Sequence, residues 1–307
     1  MRSRKTRILS SHELQSWVLS WLSAAIRLPD HGWRCTAMVV WMLLVRAAAR
    51  QQSLSAACVD LKDARSDQAL FDSLRDGLPV RIHALEQRLV AALHTRLPRS
   101  VVHKARQVAI DWHLIPYHGE PYARDNELYH SKPLSGTTKF HAYATACVVE
   151  QGRRYTVALT WVRRHESAVT VLQRLWLQMQ QIGLKIKVLL LDRQFFSVPV
   201  MTWLIGQRQP FLMPVVLRGR KSKKGRRATG LRALKRQPAG WYSYTHRSRW
   251  GNLPISICVA YKTYTDRRSG ARRRKKLLFA AWAYMARPAR SRSGIAAVSA
   301  SKAATDN

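Results

Sequence analysis

The chain has 307 residues, 47 % of them apolar, enough for a sizeable core in one large domain or two smaller ones. Lys and Arg outnumber Asp and Glu by 53 to 17, and a net charge of +36 hinders compaction unless a polyanion neutralises it, the commonest in a cell being nucleic acid. Four cysteines (Cys35, Cys58, Cys147 and Cys258) lie far apart without a CxxC pair, which argues against a zinc knuckle or disulfide framework and for buried thiols in a reducing cytoplasm.

The opening MRSRKTRILSSHELQ is basic but lacks an apolar stretch followed by a small-residue cleavage site. Residues 12 to 98 read as helical. Leu14, Trp17, Val18, Trp21, Leu22 and Ile26 recur at three- and four-residue steps, which predicts one buried stripe. Asp30 and Gly32 interrupt it, and a second helix starts at about Thr36. Its run Ala37–Val45 is the most apolar of the chain, yet its nine residues fall short of the ~20 of a membrane span, so it reads as a core helix. Ser53 opens a third helix with Leu54, Cys58 and Leu61 on one face. Ser66 or Asp67 caps a fourth carrying Leu70, Phe71 and Leu74, closed by Gly77 and Pro79. Leu85, Leu89, Leu93 and Leu97 predict a further stripe. Short helices joined by short turns fit a helix-turn-helix reader and equally a small bundle that only packs.

From Gln107 the period changes to two. Ala109, Asp111, His113 and Ile115 share one strand face; Val108, Ile110, Trp112 and Leu114 share the other. Strands over Lys139–Val149 and Tyr155–Val162 follow, joined by a turn at Glu150-Gln151-Gly152. Ser167–Gly183 reads as a helix with Val171, Leu172, Leu175 and Leu177 available for burial. Lys187–Leu191 suits the centre of a sheet covered on both sides. A helix over Ser197–Ile205 and a strand over Phe211–Leu217 complete a mixed α/β pattern.

Arg218–Arg236 holds ten Lys or Arg in nineteen residues, with Gly219, Gly225, Ala228 and Gly230 lending flexibility, and Arg267–Lys276 is basic at seven of ten positions. Such runs bind phosphates by charge alone, while the plain alternative is an Arg-rich composition spread over solvated faces. Between the runs, Trp241–Tyr244 and Leu253–Tyr261 alternate like a hairpin. Its aromatics (Trp241, Tyr242, Tyr244, Trp250, Tyr261 and Tyr264) suit stacking on unpaired bases as well as they suit burying one hairpin face. Leu277–Tyr284 is apolar again. Ten of the last nineteen residues are Ala or Ser, without Leu or aromatics, so residues 289–307 are expected to form a disordered tail.

Two aspartates end apolar runs: Asp111 in VAIDWHLIPYHG and Asp192 in KVLLLDRQFFSVPV. A carboxylate inside a strand costs several kcal/mol, on the order of 2–7, unless it is paired, solvated or metal-bound. The bland readings are a solvated strand end for Asp111, and for Asp192 an ion pair with Arg193 or a turn cap. Ends of adjacent strands in an α/β sheet are where ligands gather, which favours a shared site. His113 and His118 beside Asp111 form a rival transition-metal set. Glu120, Asp125 and Glu127 read as an exposed polar connection. Beyond Asp192 the remaining 115 residues hold 26 Lys and Arg but only two acids, Asp266 and Asp306. Asp266, in TYTDRRSG, reads as a turn residue paired with Arg267 or Arg268.

The segments IDWHLIPYHG and LLLDRQFFSVPVM resemble the first and second aspartate motifs of insertion-sequence DDE transposases. The resemblance extends over about residues 50–286. It implies a helical amino-terminal DNA-binding region (1–100), a ribonuclease-H-like core (101–217) and a basic β-rich insertion (218–288) before the tail. The fold class is thus α+β, or mixed α/β. The resemblance also implies phosphoryl transfer at two Mg2+ or Mn2+ ions about 3.5–4 Å apart, held by Asp111, Asp192 and a Glu from a final helix of the pattern Tyr-x-x-Arg-Phe-x-Ile-Glu. No such helix follows LLFAAWAYMARP here, so the reading is a copy truncated or frameshifted before its third ligand and catalytically incomplete. Arg193, Arg218, Arg220, Lys221, Lys223, Lys224, Arg226, Arg227, Arg272, Arg273 and Arg274 are the implied DNA contacts. The implied partner is DNA at the terminal inverted repeats, bound by a homo-oligomer in the cytoplasm at the nucleoid, with no membrane attachment. A non-catalytic DNA-binding remnant and a basic RNA-associated protein remain the alternatives.

Overall fold

Hydroxyl side chains start three helices of the amino-terminal unit, Met1–Arg96. At α1 (Ser11–Ala25) Ser10 Oγ accepts from the Glu13 N–H (3.2 Å) while Glu13 Oε2 accepts from the Ser10 N–H (2.9 Å), a reciprocal capping box. Thr36 caps α2 (Ala37–Arg50), and Ser53 caps α3 (Leu54–Val59), as their sequence positions predict. Helices α4 (Asp67–Gly77) and α5 (Ile82–Thr95) complete this unit's core with Leu19, Ile26, Val40, Trp41, Leu43 and Leu70. This computed structural model describes residues 10–32, 35–60, 67–120, 127–150, 152–224, 226–249, 251–266 and 268–284. The predicted tail, Leu61, Ser66, Asp125, Gln151, Gly225, Trp250 and Arg267 therefore lie outside the described residues.

The α1 stripe differs from expectation. Leu22 and Ile26 face the core as expected, but Leu14 and Trp17 are 50 % and 45 % exposed, and Leu19, outside the predicted stripe, is buried in their place. Two apolar stripes overlap on this helix, and only one can point inward. Trp17 instead lies against Trp21 (centroids 5.6 Å apart) and beneath the Arg96 guanidinium (5.4 Å). Leu85 and Leu89 pack as predicted, but α5 ends at Thr95, so Leu97 falls beyond it.

The second unit, Leu97–Asn307, opens with the short α6 (Arg99–His103) and then builds one sheet. Its strands are β1 (Arg106–Pro116), β2 (Tyr129–Leu134), β3 (Thr137–Glu150), β4 (Arg153–Val162), β5 (Ile186–Leu191), β6 (Phe211–Pro214), β7 (Gly240–Ser248), β8 (Gly251–Thr265) and β9 (Arg272–Trp282). In the order β4-β3-β1-β5-β6, β3 is antiparallel to β1 and β4, while β1, β5 and β6 run parallel. That is a ribonuclease-H-like core. β9, β8 and β7 continue the sheet antiparallel from β6, as the β-rich insertion.

Alternation along β1 sends Val108, Ile110 and Trp112 into the main core, against α7 (Ala168–Gln181) and α8 (Val198–Gly206). Ser167 caps α7, whose Val171, Leu172, Leu175 and Met179 are buried. Each such side chain stabilises the fold by roughly 1.5–3 kcal/mol. Leu177 is 57 % exposed, because its place on the 3.6-residue period turns it away from the sheet. β5 is buried on both faces from Val188 to Leu191; Leu189 and Leu191 join the main core, while Val188 and Leu190 join a second cluster with Leu212, Cys258, Phe279 and Ala281. Burial raises the Cys258 thiol to about 11, so it is an inert packing residue. Among the described residues no helix is long and apolar enough to cross a membrane.

Strand β2 lies in the loop read only as a polar connection. β6 stops at Pro214, which has no N–H for the ladder, rather than continuing to Leu217. The run Arg218–Arg236 is folded over its described residues: Arg220 N–H donates to Thr229 Oγ1 (3.0 Å), Arg232 Nε to Gly219 O (2.8 Å) and Arg236 Nη2 to Ser222 Oγ (2.6 Å), and Leu231–Leu234 forms the short helix α9. Gly219 supplies a required backbone shape rather than flexibility. Its φ is +109°, and a Cβ there would sit 2.1 Å from Thr229 O.

Candidate active site

The two aspartates meet because β1 and β5 are parallel neighbours in matched register. Ala109 pairs with Leu190 and Ile110 with Leu191, and the Asp192 N–H then donates to Ile110 O (3.2 Å). The next residue on each strand is therefore an aspartate. Both fall on the sheet face of Ala109 and Leu190, about one strand spacing, ~4.8 Å, apart. Apolar residues before each Asp drive this placement: the alternating run of β1 and the doubly buried β5 fix the strands, and register does the rest.

Burial pushes the Asp111 carboxyl above the usual carboxylate range, and the nearby Asp192 carboxylate pushes the same way. His113, the Trp112 N–H (3.0 Å to Asp111 Oδ1) and Arg154 pull it part of the way back. Asp111 is thus partly buried and not a fully solvated strand end. Asp192 opens a 3-10 turn, Arg193–Phe195, without capping it by its side chain, which removes the turn-cap reading. Phe195 anchors that turn in the main core against Trp112 (centroids 5.6 Å), so the loop carrying Asp192 is held from below.

The surroundings divide the other predicted residues. His113 Nε2 hydrogen-bonds Thr145 Oγ1 (3.1 Å), the residue whose backbone stands opposite Asp111 on β3. Sequence reasoning misses Thr145, because cross-strand register shows only once β3 is placed. Glu127 is close enough to His141 to raise its basicity against the lowering effect of burial. Among the described residues no group of three His, Cys, Asp or Glu side chains is placed to hold a metal ion, which counts against the histidine set. Asp111 and Asp192 offer the paired hard oxygens that a divalent cation takes.

Arg193 is exposed on the 3-10 turn beside Asp192. Arg218 lies at the entry to the folded basic loop, and it, Arg220, Lys221, Lys223, Lys224, Arg226 and Arg227 are all exposed. Arg272, Arg273 and Arg274 are exposed on β9, part of a strand and not of a loop. Of the two partners expected for Asp266, Arg267 lies outside the described residues and Arg268 reaches it through its backbone N–H rather than its guanidinium. Asp266 pairs with Arg273 Nε (3.1 Å), across the β8–β9 turn, while Arg268 and Ser269 donate their backbone N–H groups to its Oδ1.

The model of the transposase DDE domain family matches residues 103–285, from before β1 to beyond β9. Among solved structures, the chain is similar to the cryo-EM structure of piggyBac transposase in a synaptic complex with hairpin DNA, with 11 % identity and a TM-score of 0.42. The similarity covers 94 % of this chain and 56 % of that one, so the chain spans little more than half the length of that transposase. No curated protein matches it. The family match takes in more than half of the chain and both aspartates, and the chain belongs to the transposase DDE domain family.

Proposed function

We propose that the chain is a DNA-binding transposase of the DDE type, acting on the ends of an insertion element, whose carboxylate site is incomplete. The observation that carries this reading is that Asp111, midway along β1, stands beside Asp192, just past the end of the neighbouring parallel strand β5, within the family's matched region. Asp111 and Asp192 would hold Mg2+ or Mn2+, which when bound supplies activation of a water or 3′-hydroxyl and stabilisation of the leaving oxygen. The paired hard oxygens fit that role. Close approach of two carboxylates, one already resisting ionisation, gives the cation charge a pair to neutralise.

The protein's own groups do the rest. Arg193 binds a phosphate next to the aspartates. The cations of the 218–227 loop and of β9 bind the flanking backbone, in contacts that fix register without reading sequence. Downstream of Asp192 only Asp266 and Asp306 are acidic, and Asp266 is committed to Arg273 and its own turn. That observation favours a second reading, in which the chain occupies element ends, as part of a homo-oligomer, without cutting them.

The test is a strand-cleavage and strand-transfer assay with the full chain, Mg2+ and duplexes carrying the element's own ends. The expected outcome is binding that weakens steeply with salt, with weak or no cleavage. Robust Mg2+-dependent cutting abolished by Asp192→Ala would overturn the incompleteness and require a substitute carboxylate, with Glu120, Asp125 and Glu127 the first to vary. Absence of DNA binding at low salt would overturn the whole reading.

A further inference from the structure

The outer half of the β8–β9 hairpin is a two-stranded ribbon that leaves the packed sheet. Ile257–Ala260 and Leu278–Ala281 are buried, whereas Lys262–Thr265 and Arg272–Lys275 are exposed. The ladder nevertheless continues, pairing Tyr261 with Lys276, Lys262 with Lys275, Thr263 with Arg274, Tyr264 with Arg273 and Thr265 with Arg272. Five residue pairs span about 16 Å at ~3.3 Å per residue.

The ribbon has no apolar burial to stabilise it. Lys262 stands directly opposite Lys275, and like charges across a ladder are destabilising. Two devices hold its shape. Asp266 ties the turn to Arg273, and the Arg274 guanidinium sits 3.7 Å from the centre of the Tyr261 ring. Alternation places Arg272, Arg274 and Lys276 with Tyr261, Thr263 and Thr265 on one face, and Lys262, Arg273, Lys275 and Tyr264 on the other.

From this we infer that the ribbon enters the major groove of duplex DNA, with the Arg272–Arg274–Lys276 face toward the base edges and the Lys262–Lys275 face toward the phosphates. This rests on the DNA-binding reading above and adds to it a groove, a face and a means of reading sequence. The major groove, about 12 Å wide, admits a two-stranded β ribbon as it stands, whereas the minor groove, about 6 Å wide, must be opened to take one. Arginine bidentate to guanine O6 and N7 is the commonest specific contact there, and the stacking of Arg274 on Tyr261 holds its fork in one direction before DNA arrives. A polyanion lying along the ribbon would offset the like charge of Lys262 and Lys275.

The test uses the full chain on a duplex carrying the element's ends, without metal, and reads dimethyl sulfate protection at guanine N7, competition by the minor-groove ligand netropsin, and the salt slope. The expected result is protected guanines and indifference to netropsin. Arg272→Ala with Arg274→Ala should remove that protection and weaken binding by roughly tenfold or more per arginine. Lys262→Ala with Lys275→Ala should keep the protection and lower the slope of log affinity against log salt by about 0.9 for each phosphate that is no longer neutralised. A single cooperative thermal transition within a few degrees of the wild type shows that the variants fold. Binding that leaves guanine N7 reactive, or that netropsin displaces, overturns the ribbon while sparing the DNA-binding reading. A wild-type chain that does not bind the duplex overturns both.

Discussion

Strand β8 is buried from Ile257 to Ala260, where it joins both cores of the sheet, and exposed from Lys262 to Thr265, where three of its neighbours across the ladder are arginines and the fourth a lysine. The same backbone geometry thus runs through two chemical regimes. In the first, alternating apolar side chains account for the strand by burial alone. In the second, burial is absent and one like-charge pair opposes the ladder, which rests on the Arg274–Tyr261 and Asp266–Arg273 contacts instead. The aspartate pair belongs to neither regime: it stands on the buried part of the sheet and carries charge that this part disfavours.

The sharpest way to break the comparison is in the buried half. Phe195→Ala removes a fully buried ring beneath the Asp192 turn and should cost about 3–5 kcal/mol in denaturant unfolding. A loss under ~1 kcal/mol would mean that the turn is not anchored as described. Glu166→Gln comes next. Burial raises the Glu166 carboxyl, but hydrogen bonds from Arg174 (2.8 Å from Nη2) and the Arg163 N–H (2.9 Å) outweigh it and hold the group below the usual range. Its stabilisation is therefore complete above the ordinary glutamate range and is lost as pH falls through the depressed value. The variant should lose roughly 2–3 kcal/mol at neutral pH and show a flatter decline in acid, as thermal melts across pH would reveal.

Asp111→Asn should act in the opposite direction. Burial and the Asp192 charge both disfavour its ionised form, so the metal-free variant should melt higher by roughly 2–4 °C, the size that about 1 kcal/mol gives a domain of this length. A lower midpoint would show that Asp111 is held by favourable contacts in the free protein. Smallest is Lys275→Glu, which turns a like-charge pair with Lys262 into an opposite-charge one. It should gain about 0.2–1 kcal/mol while weakening DNA binding, and a gain in both would dissolve the contrast between the two halves of β8.

Much of the carboxylate site is legible in the sequence because apolar runs end at both aspartates and a central parallel strand has few other places to lie. What sequence does not supply is register: that Ile110 stands beside Leu191, and that Thr145 faces Asp111, are facts of pairing between segments far apart in the chain. The helical region is harder. Two stripes overlap on α1, and only the packing of α2 decides that Leu19 and not Leu14 turns inward. The basic runs look alike in composition, yet one folds into a loop closed by side-chain hydrogen bonds and the other continues a strand, because Tyr261 and Thr263 supply partners for a ladder that the residues around Gly219 lack.

Mutational tolerance in the 218–236 segment should therefore run against its chemistry. Apart from Arg232 and Arg236, whose side chains close the loop, its cations can be exchanged one at a time with little effect on shape, since each adds only a share of a diffuse field. Gly219 carries no charge, but one methyl group there would collide with the Thr229 carbonyl and open the loop. An engineer seeking to change the charge of this segment could rewrite most of its basic residues before touching its least conspicuous one.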